Sequence, residues 1–172
     1  MRRLAALATL VITPVIVLLD GPPAIAGSAT STFAVTASVS NNCTISTTAI
    51  SFGGYDPVVA NSSTPLDSAG SITITCTKGA ATTIGLNAGS NGASASGTTR
   101  AMKSGSNYLS YEIYQDSTRT TVWGNSGTDL FTPPVAPSHA PRVFTTYGRV
   151  PADQDVGAGA SYSDTVMATV NF

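Results

Sequence analysis

After position 26, short runs in which apolar and polar residues alternate cover most of the chain. The first run, residues 31–39 (STFAVTASV), places four apolar side chains on one side: Phe33, Val35, Ala37 and Val39. A period of two residues is typical of a β-strand that buries one face. The pattern therefore predicts a strand whose apolar face must be covered by another part of a molecule.

Further alternating runs follow, separated by clusters of Gly, Asn, Ser and Pro. They occupy residues 44–52, 71–76, 82–86, 107–116, 120–123, 143–150 and 161–172, with a polar, Gly- and Ser-rich stretch at 87–98. Apolar residues at helical spacing do not extend beyond two turns in this part of the sequence. The rhythm predicts an all-β fold, a β-sandwich.

Residues 124–142 interrupt this rhythm. Their prolines, at positions 133, 134, 137 and 141, cannot donate hydrogen bonds to a ladder, and Gly124, Ser126 and Gly127 loosen the chain before them. We expect a long surface loop or an edge crossing here.

The final run also places its apolar residues on one side, and the sequence ends with it. These residues are Val166, Ala168, Val170 and Phe172. We expect this strand to have an uncovered edge, because nothing follows it in the sequence. Such edges expose unpaired backbone groups and attract another strand. The beginning of one molecule is therefore expected to pair with the end of another.

The first 26 residues resemble a secretory signal. Arg2 and Arg3 precede an apolar run at residues 4–19, and Ala24-Ile25-Ala26 has the small-x-small form of a cleavage site. A membrane anchor fits less well, because the run is short and contains Pro14. We expect secretion, removal of residues 1–26, and a mature form of single-domain length without a transmembrane anchor.

Charge narrows the class of partner. Residues 27–172 carry six basic and eight acidic groups, a net charge of about −2. Nucleic-acid binding requires a basic stripe that this composition does not supply.

The two cysteines, Cys43 and Cys76, predict a disulfide in an exported chain. A redox or zinc role lacks the CxxC spacing and the clustered histidines that it requires.

Catalytic and cofactor chemistry finds little support. His139 lies in the proline-rich segment and is interpreted as a solvated residue rather than a general base. GASASG, residues 92–97, has the wrong spacing for a nucleophile elbow. Asp153, Asp155 and Asp164 lack the loop spacing of a calcium motif. We expect no enzyme activity, no cofactor and no metal.

One other class of function stays open. Four aromatic residues on alternating strands are candidates for a carbohydrate-binding platform: Tyr108, Tyr111, Tyr114 and Trp123. In that alternative the chain is a monomeric secreted binding module for a carbohydrate or protein ligand. Residues 31–39 would then pair within their own molecule.

Several motifs together resemble the spore coat protein U domain, a family that also contains the subunits of archaic, Csu-type chaperone–usher pili. They are CTIS, SFGGYDP, TPLDSAGSITITCT, NYLSYEIYQDSTRTTVWGN and YGRVPADQDVGAGASYSDTVMATVNF, in this order. The resemblance runs from about residue 30 to Phe172, and residues 127–142 depart from it.

The resemblance implies an incomplete immunoglobulin-like β-sandwich that is completed by donor-strand complementation. Residues 27–42 would be the N-terminal donor extension and residues 43–172 the sandwich domain. The donor side chains would be Phe33, Val35, Ala37 and Val39. The acceptor-groove strand would carry Val166, Ala168, Val170 and Phe172. The family's intradomain disulfide would join Cys43 to Cys76.

The resemblance also implies partners and a location. The subunit would polymerise with other copies or related pilins into a surface fibre or coat. A periplasmic chaperone would hold it in transit, and an outer-membrane usher would exchange the chaperone's strand for the next subunit's extension.

Overall fold

The structure of the chain is a computed structural model that describes residues 21, 25–92, 100–159 and 161–172. Most of the predicted signal, residues 1–26, lies outside the described residues. The chain divides into two units, residues 1–37 and residues 38–172. No helix in the described ranges is long and apolar enough to cross a membrane.

Residues 25–42 contain no helix and no strand. The side chains of Phe33, Val35 and Val39 are 87%, 83% and 84% exposed. The structure therefore differs from the strand predicted at residues 31–39. The physical reason is that a strand is defined by ladder hydrogen bonds to a partner, and these residues form none with the described part of the chain.

The unit of residues 38–172 is built from strands, which confirms the predicted all-β class. The strands are β1 (Cys43–Thr48), β2 (Leu66–Cys76), β3 (Thr83–Leu86), β4 (Arg100–Ser104), β5 (Asn107–Tyr114), β6 (Arg142–Val150) and β7 (Ala168–Asn171). They form a five-stranded sheet in the order β1-β2-β6-β5-β4 and a two-stranded sheet of β3 and β7. Every pairing in the two sheets is antiparallel.

The core lies between the two sheets, where inward-facing positions of both meet. The larger sheet contributes Ile72, Ile74, Leu109, Tyr111, Ile113 and Val150, and the smaller one Ile84 and Leu86. Trp123 is fully buried among them, and its indole N–H donates to the carbonyl of Ile84 at 2.9 Å. The sheets are thus joined by apolar packing and by buried side-chain hydrogen bonds to β3, from Trp123 to Ile84 and from Arg100 of β4 to the carbonyl of Leu86 at 3.0 Å.

The proline-rich segment leads from β5 to β6 within the larger sheet and passes along the edge of β3 on the way. It contains a short 3-10 helix, Gly127–Asp129. Phe131 exchanges two backbone hydrogen bonds with Ile84 and packs between Trp123 and Phe144, with ring centroids 4.9 and 5.1 Å away. The segment therefore covers the edge of β3 that faces away from β7.

Several strands differ from the sequence prediction; β1 ends at Thr48 rather than at residue 52, and β2 begins at Leu66 rather than at residue 71. β4 was not predicted, and it forms a tight hairpin with β5 through Gly105 and Ser106. Residues 120–123 contribute only an isolated bridge from Val122 to Tyr114. The last strand is shorter than residues 161–172, because its partner β3 offers only four residues.

Cys43 and Cys76 form the predicted disulfide. They are directly opposite each other in the β1–β2 ladder. The bond therefore fixes the start of β1, which is an edge strand, to the end of β2.

Replacing Cys43 with Ser should lower the free energy of unfolding by about 3–4 kcal/mol, since the bridge closes a loop with a sequence separation of 33 residues. Urea unfolding of the oxidised chain and the variant, in the same assembly state, measures the difference. Ser46→Thr, at an exposed position of β1, is the matched control. Equal midpoints for the oxidised chain and Cys43→Ser would show that the bridge contributes no stability.

Candidate functional site

A groove with an apolar floor runs along the sandwich between residues 47–58 and residues 156–168. It consists of two parts with volumes of about 910 and 490 Å³. Both parts are lined by Ile50, Phe52, Met102 and Tyr162, so they form one continuous depression. The floor consists of core side chains, among them Ile72, Leu86, Leu109 and Tyr111.

The first wall continues β1 beyond its last paired residue. Ile50 and Phe52 are half-buried and pack against the core. Two glycines make room for them: a Cβ at Gly148 would lie 2.7 Å from Phe52 Cζ, and one at Gly70 would lie 2.5 Å from the carbonyl oxygen of Thr48. These glycines are therefore required for the wall to lie against β2 and β6.

The second wall is formed by residues 161–168. Its side chains alternate between half-buried even positions and exposed odd positions, and this alternation continues to residue 171. Val166 and Ala168 line the groove, as does Tyr162. Val170 packs against the core but lies outside the groove lining, and Phe172 is 54% exposed. The structure thus brings two of the four predicted acceptor residues into the groove.

The backbone of the second wall has one bonded edge and one free edge. Ser163 exchanges two hydrogen bonds with Lys103, and the carbonyl of Met167 accepts from the N–H of Asn87. Ile84 and Leu86 donate their N–H groups to Phe131 and Gly124, on the other side of β3. Bonded and non-bonded pairs alternate in an antiparallel ladder. The even-numbered residues opposite them, Ala168 and Val170, therefore direct their N–H and C=O groups away from β3.

The same reasoning applies to β1. The N–H of Thr77 donates to the carbonyl of Asn42 at 2.9 Å, so the next pair, Cys43 with Cys76, is non-bonded. Ile45 and Thr47, two and four residues further along β1, also form non-bonded pairs with β2. Their backbone N–H and C=O groups therefore point away from β2. Among the described strands β1 pairs only with β2, and β7 pairs only with β3. Cα atoms of β1 and β7 approach within 8 Å, so two free edges lie side by side.

Asp164 holds the middle of the second wall. Its Oδ1 accepts hydrogen bonds from the N–H of Ser90 (2.8 Å), the side-chain amide of Asn91 (3.1 Å) and the N–H of Thr165 (2.8 Å). Its Oδ2 accepts from the Tyr111 hydroxyl at 2.8 Å. Burial, and then this hydrogen bond to a carboxylate, raise the pKa of Tyr111 above its ordinary value. The carboxylate thus ties the wall to the loop after β3 and to the floor.

Gln154 closes the other end of the site. Its Oε1 accepts from the N–H of Ser110 at 2.8 Å, and its Nε2 donates to the carbonyl of Ser110 at 2.9 Å. The backbone N–H of Gln154 donates to the Tyr55 hydroxyl, which donates in turn to the carbonyl of Pro151. The side-chain amide therefore replaces a strand at a point where the β5–β6 ladder has ended.

In the described part of the chain, the candidate residues for metal binding, catalysis and carbohydrate binding do not come together in one place. In the described part of the chain, no three His, Cys, Asp or Glu side chains are grouped to bind a metal. His139 is exposed. Tyr111 and Trp123 are buried in the core, so the four aromatic residues do not form a platform. Most of the segment 92–97 lies outside the described residues.

The site defines a class of protein: an all-β sandwich with an apolar-floored groove beside two strand edges that are unpaired among the described strands. Three comparisons identify the family. The Spore Coat Protein U domain matches residues 29–169. Protein U of Myxococcus xanthus is 38% identical over 162 residues, which cover 87% of this chain and 88% of that protein.

The third comparison is with a solved structure, the chaperone–tip adhesion subunit pre-assembly complex from the archaic chaperone–usher Csu pili of Acinetobacter baumannii. A chain of that complex aligns with a TM-score of 0.55 and 25% identity. The alignment covers 78% of this chain and 40% of that chain, so this chain spans less than half of that relative. This chain belongs to the Spore Coat Protein U domain family, a family of structural proteins rather than enzymes.

Gln154→Ala should lower the free energy of unfolding by about 1–3 kcal/mol, because it leaves both backbone groups of Ser110 without their partner. Gln154→Glu should be at least as destabilising, since it places an oxygen against the Ser110 carbonyl. Urea unfolding measures both effects. Asp155→Ala, at an exposed neighbouring position, is the control, and a Gln154→Ala midpoint equal to that of the control would contradict the assignment.

Tyr111 should make the stability of the domain sensitive to alkaline pH. The pKa of Tyr111 is raised in the folded state, so its contribution to the free energy of unfolding is complete below the unfolded-state pKa of about 10. This contribution is lost as the pH rises above that value toward the folded-state pKa. The difference in urea midpoint between the native chain and Tyr111→Phe should therefore change in favour of the variant between pH 8 and pH 11. A difference that stays constant across this range would contradict the shift.

Proposed function

We propose that this chain is a secreted structural subunit that polymerises by donor-strand exchange into a surface fibre or coat. In this proposal residues 27–42 are the donor extension and residues 43–172 the acceptor domain. Phe33, Val35, Ala37 and Val39 of one copy enter the groove of the next copy. The observation that carries the proposal is the groove with an apolar floor that begins beside the adjacent unpaired edges of β1 and β7 and continues between residues 49–58 and 156–166.

The groove has the two properties that an added β-strand requires. Core side chains form its floor, and the edges of β1 and β7 beside it pair with no second strand among the described strands. Antiparallel ladders place side chains alternately on opposite faces, so a strand bonded to both edges would direct every second side chain to the floor. An apolar strand in this place would complete the sandwich.

Residues 31–39 have the matching pattern. Phe33, Val35 and Val39 are exposed and recur at a period of two. Burying each of these side chains stabilises an assembly by about 1.5–3 kcal/mol. Each ladder hydrogen bond adds about 0.5–1.5 kcal/mol. Ordering a segment that has no strand of its own costs about 1–2 kcal/mol per residue, so apolar burial and ladder bonds are both required.

Completion of the groove couples assembly to folding. The floor residues are part of the core of the acceptor, so a strand that covers them stabilises the whole acceptor domain, as a ligand that binds only the folded state does. A subunit without such a strand presents apolar surface and free edges, which favour aggregation. This is the physical reason to propose a chaperone that supplies a temporary strand.

The partners follow from this requirement. The structural relative from Acinetobacter baumannii is a pre-assembly complex of a chaperone with a tip adhesion subunit of archaic chaperone–usher pili. We propose a periplasmic chaperone that occupies the groove in transit, an outer-membrane usher that exchanges it, and other copies or related pilins as neighbours. The predicted signal in residues 1–26 supports export, and a cell-surface fibre would act in adhesion and biofilm formation.

Phe33→Asp should stop chain growth. A carboxylate at this position would have to be buried in an apolar groove, which is costly without a partner, so the variant accepts a strand but does not donate one. Size-exclusion chromatography and heat-resistant ladders on gels measure polymer length. Val135→Asp, an exposed apolar position outside both the donor segment and the groove, is the matched control.

Polymers of normal length from Phe33→Asp would overturn the proposal. A native chain that remains a stable monomer at every concentration, with residues 31–39 protected from proteolysis, would favour the self-contained binding module instead.

A further inference from the structure

We infer that Asp164 is a positioning residue that holds the second wall ready for an incoming strand, so that it controls uptake of the strand more than the stability of the completed domain. This inference rests on the proposed function. Asp164 would not contact the donor side chains themselves. It would act through the backbone of residues 161–167.

The hydrogen bonds of this wall all point to one side. The N–H and C=O of Ser163 bond to Lys103, and the carbonyl of Thr165 accepts from the Ser90 hydroxyl at 3.2 Å. The N–H of Met167 donates to the side-chain oxygen of Asn87 at 2.9 Å. The odd-numbered residues thus bond toward β4 and the loop after β3, and the opposite edge stays available for a strand.

No regular ladder holds residues 161–167 in this position, because β3 pairs with the chain only from Ala168 onward. Besides the Ser163–Lys103 bridge and the bonds of Met167 to Asn87, the Asp164 carboxylate ties this wall to two neighbours at once, to the loop at Ser90 and Asn91 and to the floor at Tyr111. Hydrogen bonds to a charged acceptor are about twice as strong as neutral ones. One side chain therefore contributes strongly to the distance of the wall from both neighbours.

The loop is shaped to receive this carboxylate. Gly89 has a φ of +80°, and a Cβ there would lie 1.9 Å from Asp164 Oδ2. Only glycine allows both this backbone conformation and this close approach. The Asn87 side chain accepts from the N–H of Gly89 at 3.0 Å and also from Met167, so the same turn holds the wall at two points.

The role of Asp164 differs before and after strand uptake. Before uptake, the wall has only its odd-numbered backbone bonds and the Asp164 carboxylate. After uptake, the even-numbered residues gain ladder bonds to the donor, which hold the wall independently. Replacement of Asp164 should thus slow uptake of the strand, because the free edge must first be ordered. The same replacement should reduce the stability of a completed domain by less.

The test uses the chain from residue 27 in the Phe33→Asp background, which prevents donation, and a labelled peptide of residues 31–42 as the donor. Asp164→Ala should slow peptide association by about tenfold or more, the equivalent of about one charge-assisted hydrogen bond. Asp164→Asn, which keeps one acceptor oxygen, should fall between Asp164→Ala and the native residue. Asp155→Ala is the matched control and should associate at the native rate.

A second measurement separates positioning from general stability. It uses a chain in which residues 31–39 are repeated after Phe172 through a short turn, so that a donor strand is always present. In this chain, Asp164→Ala should change the unfolding rate by a smaller factor than the factor by which it slows peptide association. Equal factors, or association no slower than in Asp155→Ala, would overturn the inference. Failure of the peptide to bind the acceptor with native Asp164 would instead overturn the proposed function.

Discussion

Every backbone N–H and C=O group in a β-sandwich needs a partner, and in this chain two adjacent rows of them have none among the described strands. β1 bonds only to β2, β7 bonds only to β3, and their outer edges lie next to each other. Sandwiches usually avoid such edges because they attract other strands. Here the free edges flank a groove whose floor is the core itself, so whatever satisfies the edges also completes the core.

The elements around the groove are arranged to keep it open. An apolar cleft in a flexible protein would collapse, because burying its surface is favourable. Two glycines, Gly70 and Gly148, allow the first wall to lie against the larger sheet. Polar anchors on the outer side, Asp164 and Gln154, fix the second wall and the end of the groove. Hydrogen bonds suit this purpose because they fix positions without covering apolar surface.

The sequence predicted the fold class, the disulfide, the edge crossing and the family, because each depends on a local signal. Alternation, cysteine count, proline content and the motif order are all visible without the structure. The limits of the elements were harder to predict. β4 was missed because residues 100–104 have weak alternation, although the Gly105-Ser106 pair after them is a turn signal for a hairpin. Residues 120–123 were predicted as a strand but pair at only one point.

The anchors of the groove were not predicted, and the reason is physical. Asp164 was considered only as a metal ligand, and its partners Ser90, Asn91 and Tyr111 are distant in sequence. Gln154 lies in the family motif that begins at Tyr147, but nothing in the local sequence shows that its side-chain amide replaces a strand beside Ser110. A buried ion pair between Arg100 and Glu112 was missed for the same reason. Polar contacts between distant segments leave no periodic pattern, whereas buried apolar faces do.

Under the proposed function, apolar and polar residues have separate tasks that let one chain be both an acceptor and a donor of a strand. The proposed donor segment carries its apolar side chains on residues without helix or strand, so it would remain adaptable until a ladder forms. The acceptor carries its free backbone on elements fixed by a disulfide at β1 and by a carboxylate at the second wall. Because the acceptor is ordered in advance, the ordering cost of association falls mainly on the donor. The donor's apolar residues then need to offset only the entropy of one short segment.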